Sequence, residues 1–265
     1  MQGLDREVLT SDKAATMVTE TMMLTGEMTA KIEPFDSFWE GPENVDKGYQ
    51  SFSQFYKRNY LKYLPVNKQA KILVISCGPG YFVNLLVEQG YVNVLGIDSD
   101  SGKIQHATKR NLPCRAERAV PHLRRSSEVY DVIFCEQELN HMTKEEMLLF
   151  LSLCRTAMKK EGVLIVHGLN GANPITGAEA LAQNFDHYNT FTEYTLRQVL
   201  GHTGFGQIQI IPLNLYVFYM NPLNYVLIVL DRLYSLFFTF SFMLYGKNNR
   251  VWTKKLGAAC RKATA

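Results

Sequence analysis

The sequence lacks the features that mark several classes of protein. It has only five cysteines, and no two of them form a C-x-x-C pair or join histidines at metal-ligand spacing. Its start shows no apolar run after a basic stretch, so no secretory signal is expected. These absences argue against a metal centre and against a disulfide-stabilised secreted domain, and they predict a reducing, cytoplasmic location.

An excess of positive charge is also missing from most of the chain. The formal net charge is +3, but six basic residues and no acidic ones follow Gly246, and subtracting those six charges leaves the first 245 residues at −3. Nucleic-acid binding requires a basic face on the folded body. We therefore expect no nucleic-acid partner.

Short apolar runs rich in β-branched residues alternate with amphipathic helical patterns along the middle of the chain. This alternation predicts an α/β fold with a mostly parallel sheet and right-handed crossovers. Strands are predicted at 71–76, 92–97, 129–135 and 162–167, followed by a strand pair at 207–211 and 215–219; helices are predicted at 46–64, 81–89, 102–110, 144–159 and 192–202.

Composition divides the chain into four parts. We expect a polar lead-in at 1–34, one α/β domain at 35–220 whose first part is an aromatic, helical lid, a hydrophobic helical appendage at 221–245, and a basic tail at 246–265.

A glycine-rich turn follows the first predicted strand. Cys77, Gly78, Pro79 and Gly80 stand between this strand and a helix, where glycines let the backbone approach a ligand closely. Asp98 ends the next predicted strand, 20 residues after Gly78, and a carboxylate there can accept hydrogen bonds from both ribose hydroxyls of an adenosine. The pattern predicts an adenosine-containing cofactor.

The missing third glycine indicates which cofactor this is. Dinucleotide sites need G-x-G-x-x-G, with the last glycine beside the pyrophosphate, but Val83 occupies that position. S-adenosylmethionine (SAM) has no phosphate, so the turn favours SAM over a nicotinamide cofactor.

The segments ILVISCGPGYFVNLLVEQG, VLGIDSD and YDVIFCEQELNHM resemble motifs of class I SAM-dependent methyltransferases, and the similarity extends over about 35–211. The resemblance implies a Rossmann-like, mostly parallel seven-stranded sheet with helices on both faces, SAM as methyl donor and S-adenosylhomocysteine as product. It implies cofactor contacts by Cys77, Gly78, Gly80, Asp98, Ser99, Arg115, Ala116, Glu136 and Gln137.

Aromatic residues before the first strand are candidates for a lid over the cofactor. Tyr49, Tyr56 and Trp39 could close the site and exclude water, although ordinary packing of an amphipathic helix explains Tyr49 and Tyr56 equally well.

His187 is the first candidate for a catalytic base. The stretch from Gly168 to Phe205 resembles O-methyltransferases of bacterial glycan and quinone pathways, in which a histidine before an FT pair lies over the acceptor pocket. A hydroxyl acceptor needs a base at this place. The alternatives are that His187 only supports the following helix or binds substrate without proton transfer, and His141 is the second candidate base.

The resemblance favours O-methylation of a sugar hydroxyl in a surface polysaccharide or a lipid-linked glycan. Methylation of a prenylated quinone precursor is the alternative within the enzyme class. A regulatory protein that binds SAM without turnover is the alternative from another class.

The segment 222–245 is almost entirely apolar, with Asp231 and Arg232 dividing it into runs shorter than a bilayer needs. Asn224, Asp231, Ser235 and Thr239 fall on one helical face. With the basic residues that follow, residues 221–262 suit peripheral contact with the inner face of the cell membrane. The alternatives are packing against the domain, burial in a homodimer and a true membrane span.

Overall fold

The structure, a computed structural model, describes residues 45–127, 129–136, 138–182, 185, 187–213 and 223–263. The predicted lead-in, Trp39, Gln137 and the predicted strand at 215–219 therefore lie outside the described residues.

Seven strands form a single sheet in the order β3-β2-β1-β4-β5-β7-β6, in which β1 to β5 are parallel and β7 runs antiparallel to both β5 and β6. The prediction of a mostly parallel, Rossmann-like sheet is confirmed. The strands are β1 (Lys71–Ile75), β2 (Asn93–Asp98), β3 (Cys114–Ala116), β4 (Tyr130–Glu136), β5 (Met158–Leu169), β6 (Phe205–Leu213) and β7 (Lys255–Lys262).

Helices cover both faces of the sheet because successive residues of its inner strands point to opposite faces and are apolar on both. In β1, Ile72 packs on the same face as Tyr60 and Phe82, whereas Leu73 packs on the other face with Phe150. The helices are α1 (Val45–Tyr60), α2 (Tyr81–Glu88), α3 (Ser101–Lys109), α4 (Ala119–Arg124), α5 (Lys144–Ala157), α6 (Gly177–Ala182), α7 (Glu193–His202) and α8 (Leu223–Leu244), with single 3₁₀ turns at Leu61–Tyr63 and Glu138–His141.

The prediction of a basic tail at 246–265 is wrong for its second half. Residues Lys255–Lys262 form β7, an inner strand in which Ala258 and Cys260 are fully buried. A Cβ atom on Gly257 would lie 2.9 Å from the carbonyl oxygen of Val166. Small residues fit this crowded position, but glycine and alanine have low β-propensity, so the local sequence does not indicate a strand.

The predicted appendage is consequently an insertion in the connection between β6 and β7. Its helix, α8, is continuous through Asp231 and Arg232. Tyr225–Leu244 has a mean hydropathy of 1.6 and is long and apolar enough, by length and composition alone, to cross a membrane. The expectation that its apolar runs are shorter than a bilayer needs is therefore corrected, because they form one 22-residue helix.

Helix α8 is held to the domain along one side. The Trp252 ring packs 4.5 Å from that of Phe242, and its indole N–H donates to Thr239 Oγ1 at 2.8 Å. Thr239 belongs to the predicted polar face, so that face is turned toward the domain. Large apolar side chains on the remaining surface are exposed, among them Leu236 (69%) and Phe240 (64%).

Candidate functional site

The glycine turn after β1 has a backbone that favours glycine. Gly78 has φ 53° and Gly80 has φ 87°, both in the left-handed region. A Cβ atom on Gly78 would meet nothing within 4 Å, so the turn is open on this side. The predicted close approach between backbone and ligand is therefore sterically available at Gly78.

The underside of the turn is closed by two thiols. The Cys77 amide donates to the Ile97 carbonyl at 3.1 Å. The sulfurs of Cys77 and Cys114 lie so close to Gly96 that a Cβ there would be 2.9 and 2.8 Å from them. A hydrogen bond with Cys114 and burial raise the pKa of the Cys77 thiol, which stays protonated. The thiol of Cys77 is therefore uncharged and lies on the Gly96 side of the turn.

Asp98 ends β2 directly beside the turn. Its Oδ2 accepts a hydrogen bond from the Gly78 amide at 2.8 Å, and its Oδ1 accepts one from the Asp100 amide at 2.9 Å. Each carboxylate oxygen can accept a further hydrogen bond. The side chain is thus oriented in advance for two ribose hydroxyls, and Ser99 is exposed next to it.

The predicted adenine-binding residues lie at the edge of the sheet. Arg115 and Ala116 are exposed on β3, where Ala116 pairs with Asp98. The following residue, Glu117, donates its amide to the Asp98 carbonyl at 2.8 Å. Its carboxylate is engaged by His122 at 3.1 Å and by Arg125. These contacts hold the end of β3 in place beside the predicted ribose position.

Helix α1 rests on the glycine turn through Tyr49, whose hydroxyl donates to the Pro79 carbonyl at 2.6 Å. Its ring meets that of Tyr81 edge-on, and Arg110 lies 3.9 Å above it. Burial raises the pKa of Tyr49 to about 12, against a smaller opposing effect of Arg110, so the phenol remains a donor. Tyr49 braces the turn from outside.

Tyr56 is buried in the same hydrophobic core as Tyr49, but its hydroxyl has different hydrogen-bond partners. Its hydroxyl donates to Glu136 Oε2 at 2.6 Å, and Glu136 Oε1 lies 3.8 Å from His167 Nε2. Tyr60 and His167 Nδ1 are 2.9 Å apart. Burial lowers the pKa of His167, which is therefore neutral. The side chain of Glu136, a predicted cofactor contact, ties α1 to the end of β4.

The structure brings the two candidate bases together. The rings of His187 and His141 are 4.9 Å apart. His187 Nδ1 lies 2.8 Å from the Ala180 carbonyl oxygen. A carbonyl only accepts, so Nδ1 carries the proton and the lone pair of the neutral ring is on Nε2. This is the tautomer that a general base needs.

Two asparagines to which the sequence patterns assign no role hold the histidine pair in place. Asn140, fully buried, donates to the Asn189 carbonyl at 2.6 Å and accepts at Oδ1 from the Leu169 amide at 3.3 Å. Asn189 in turn donates to the Met142 carbonyl. The segment after His187 is thereby fixed to the turn that carries His141. In the sequence, the only indication of this role is that Asn140 directly precedes His141 and that Asn189 lies two residues after His187.

Residues 49–210 match the family model of the methyltransferase domain. This chain belongs to that family. The match covers more than half of the 265 residues, and it confirms a class I SAM-dependent methyltransferase, an enzyme with SAM as its cofactor. A comparison with curated proteins found no match.

The methyltransferase is similar in fold to many solved structures. A SAM-dependent methyltransferase of Archaeoglobus fulgidus is 17% identical, with TM-score 0.60 over 81% of this chain and 94% of that one. Phosphoethanolamine N-methyltransferase 2 of Haemonchus contortus, bound to phosphomonomethylethanolamine and S-adenosylhomocysteine, is 14% identical, with TM-score 0.56 over 88% and 61%. The 1,6-didemethyltoxoflavin-N1-methyltransferase of Burkholderia thailandensis is 12% identical, with TM-score 0.53 over 98% and 94%.

The described residues fit SAM. The open side at Gly78 leaves room for the cofactor, Asp98 has acceptor capacity for the ribose, and the Pro79 carbonyl is held by Tyr49. Bound SAM supplies an electrophilic methyl group on its sulfonium. The task left to the methyltransferase is to hold the donor, align an acceptor and remove a proton.

Proposed function

We propose that this methyltransferase O-methylates a sugar hydroxyl of a lipid-linked or surface glycan, with His187 as general base. The observation that carries the proposal is the hydrogen bond of His187 Nδ1 to the Ala180 carbonyl, which directs the lone pair to Nε2. As the hydroxyl oxygen forms its bond to the methyl group, the bond to sulfur breaks and neutral S-adenosylhomocysteine leaves. The oxygen would then carry a positive charge, so its proton must pass to a base during attack. A neutral imidazole in this tautomer can take it.

The neighbouring His141 supports this role through position. Its ring meets that of His187 at 61° and 4.9 Å, an edge-on contact that restricts rotation of the base. Asn140 and Asn189 limit movement of the backbone on both sides of the pair. Such a fixed base keeps the acceptor oxygen in line with the methyl group, which matters because small misalignments cost much of the rate.

A cleft beside this segment supports a glycan acceptor joined to a lipid. It has a volume of about 630 Å³ and lies between the turn after β5 and the end of α8. Asn248 and Asn249 line it with polar groups for sugar hydroxyls, and Phe242 of α8 lines it with an apolar ring. The Gly171 amide donates to the Phe191 carbonyl at 2.9 Å, which joins the cleft to the chain that follows His187.

Transfer of labelled methyl groups tests the acceptor. With tritium-labelled SAM and a lipid extract of the source cells, we expect label in the organic phase that mild acid releases as a mono-O-methyl sugar. Label retained by an acid-stable prenylated ring would favour the quinone precursor. SAM binding without label in either fraction would favour the regulatory alternative and would contradict O-methylation.

We further propose that α8 brings the enzyme to the inner face of the cell membrane. Leu236, Phe240 and Leu244 lie at successive fourth positions and are exposed by 64 to 71%. Lys247 and Arg250 follow the helix directly. An apolar helix face beside basic residues is suited to an anionic bilayer surface.

Replacing Leu236, Phe240 and Leu244 with glutamine should prevent flotation with phosphatidylglycerol vesicles. Three apolar side chains leave the interface, so the bound fraction should fall at least about tenfold. The matched control replaces Val66, Val87 and Val92, which are exposed elsewhere, and should float like the unchanged protein. A different result would assign the helix to a homodimer interface. In that case the unchanged protein would never float and would elute as a dimer, and the triple substitution would dissociate that dimer.

A further inference from the structure

A carboxylate that is not among the predicted cofactor contacts lies beside the cofactor turn. Glu138 begins the 3₁₀ turn after β4, and its Oε2 accepts a hydrogen bond from the Ser76 hydroxyl. Ser76 directly follows β1, which pairs with β4 through Ile75 and Cys135. The carboxyl ends of these two parallel strands are therefore adjacent, and Glu138 spans the crevice between them.

The backbone of Ser76 supports a functional reason for this contact. Its φ is 54°, in the left-handed region that residues with a side chain rarely adopt. Such conformations are strained and concentrate at ligand sites. Here the conformation places the Ser76 hydroxyl on Glu138, one residue before the cofactor turn begins.

Two carboxyl groups, those of Glu138 and Asp98, lie close to each other at this site. Burial raises the pKa of Glu138, the hydrogen bond from Ser76 lowers it, and the nearby charge of Asp98 raises it, so a cation bound here would favour the ionised carboxylate. In the part of the chain that the structure describes, no lysine, arginine or histidine forms an ion pair with either carboxylate. A half-buried carboxylate without a cation is costly, so the site is built for a ligand that carries positive charge.

We propose that Glu138 binds the ammonium group of the methionine part of SAM. Asp98, at the end of β2, is placed for the ribose, whereas Glu138 lies on the other side of β1, toward β4. A ligand that crosses the turn from Asp98 therefore reaches Glu138 with its opposite end. Ser76 is a positioning residue that holds the carboxylate toward the crevice.

The same turn relates this end of the cofactor to the histidine pair. Glu138 and His141 are three residues apart in a 3₁₀ turn. Residues at this spacing lie on the same side, separated by a rise of roughly 6 Å. An ammonium held at Glu138 would thus anchor the methionine part on the side of the turn where His141 contacts His187.

Calorimetry with three ligands tests the proposal on the full-length protein. In Glu138→Gln, the affinities for SAM and S-adenosylhomocysteine should fall about 10- to 100-fold through loss of a charge-assisted hydrogen bond. The affinity for 5′-methylthioadenosine, which lacks the amino-acid part, should stay within about twofold. Ser76→Ala should show a smaller loss with the same ligand pattern. Glu145→Gln removes an exposed carboxylate from the same region and should bind all three ligands normally.

The unchanged protein provides a test that does not depend on a variant folding. It should bind S-adenosylhomocysteine at least tenfold more tightly than the deaminated analogue, and Glu138→Gln should remove this difference. Equal binding of both ligands by the unchanged protein would overturn the proposal. So would an equal loss of 5′-methylthioadenosine and SAM in Glu138→Gln. Because no acceptor is present in these measurements, their outcome is independent of the glycan proposal.

Discussion

Replacing Asp98 with alanine is expected to weaken SAM binding at least a hundredfold. The carboxylate is placed for two ribose hydroxyls, and hydrogen bonds to a charged group contribute about 1.5–3 kcal/mol each. It also accepts the Gly78 amide at 2.8 Å, so its loss releases the glycine turn at the same time. Isothermal titration calorimetry with SAM measures the effect directly.

Asp100 provides the matched control, because it is an exposed acid two residues away. Its side chain accepts the amides of Gly102 and Lys103 at the start of α3. Asp100→Asn keeps this cap and removes the charge, so SAM affinity should stay within about threefold. If Asp98→Ala bound SAM as tightly as Asp100→Asn does, the ribose would not be held at the end of β2.

Replacing His187 with alanine is expected to lower turnover about 10²- to 10⁴-fold, which is the usual contribution of a positioned general base. SAM affinity should remain within about twofold, because His187 contacts α6 and His141 rather than the glycine turn. The measurements are the rate of label transfer from tritiated SAM to the lipid extract and calorimetry with SAM.

Two further variants make this result specific. His202→Ala removes an exposed histidine at the end of α7 and should retain full turnover. His141→Ala should cost less than His187→Ala if His141 only restricts the base. A larger loss in His141→Ala would transfer the role of base to His141, and unchanged turnover in both variants would exclude a histidine base. Thermal melting of each variant separates loss of turnover from loss of folding.

Short-range signals predicted the half of the molecule that surrounds the cofactor. The run from Lys71 to Ser76 is rich in β-branched residues and predicts a strand buried on both faces. The structure forms β1 over Lys71–Ile75, in which the last four residues are buried. The glycine turn and Asp98 meet as expected, because parallel strands place their carboxyl ends at one edge. The contacts of the predicted residues with SAM itself remain predictions that the Asp98 and Glu138 variants test.

Long-range contacts account for what the sequence did not indicate. Strand β7 is recognisable only beside β5 and β6, because Gly257 and Ala258 have little preference for a strand by themselves. Glu138 and Ser76 are 62 residues apart, so their contact depends on the pairing of β4 with β1. By sequence, His187 and His141 are alternative candidates for the catalytic base, but the fold places their rings in contact.

The sequence by itself determined the fold class, the glycine turn and the acid that faces it, because apolar periodicity and glycine placement act over a few residues and leave a readable pattern. Only the tertiary structure decided that the residues of β7 complete the sheet and that α8 is inserted before them. It also decided that the carboxylate of Glu138 lies across the crevice from Asp98. Those features arise from pairing between distant segments, where burial and steric fit override local preference.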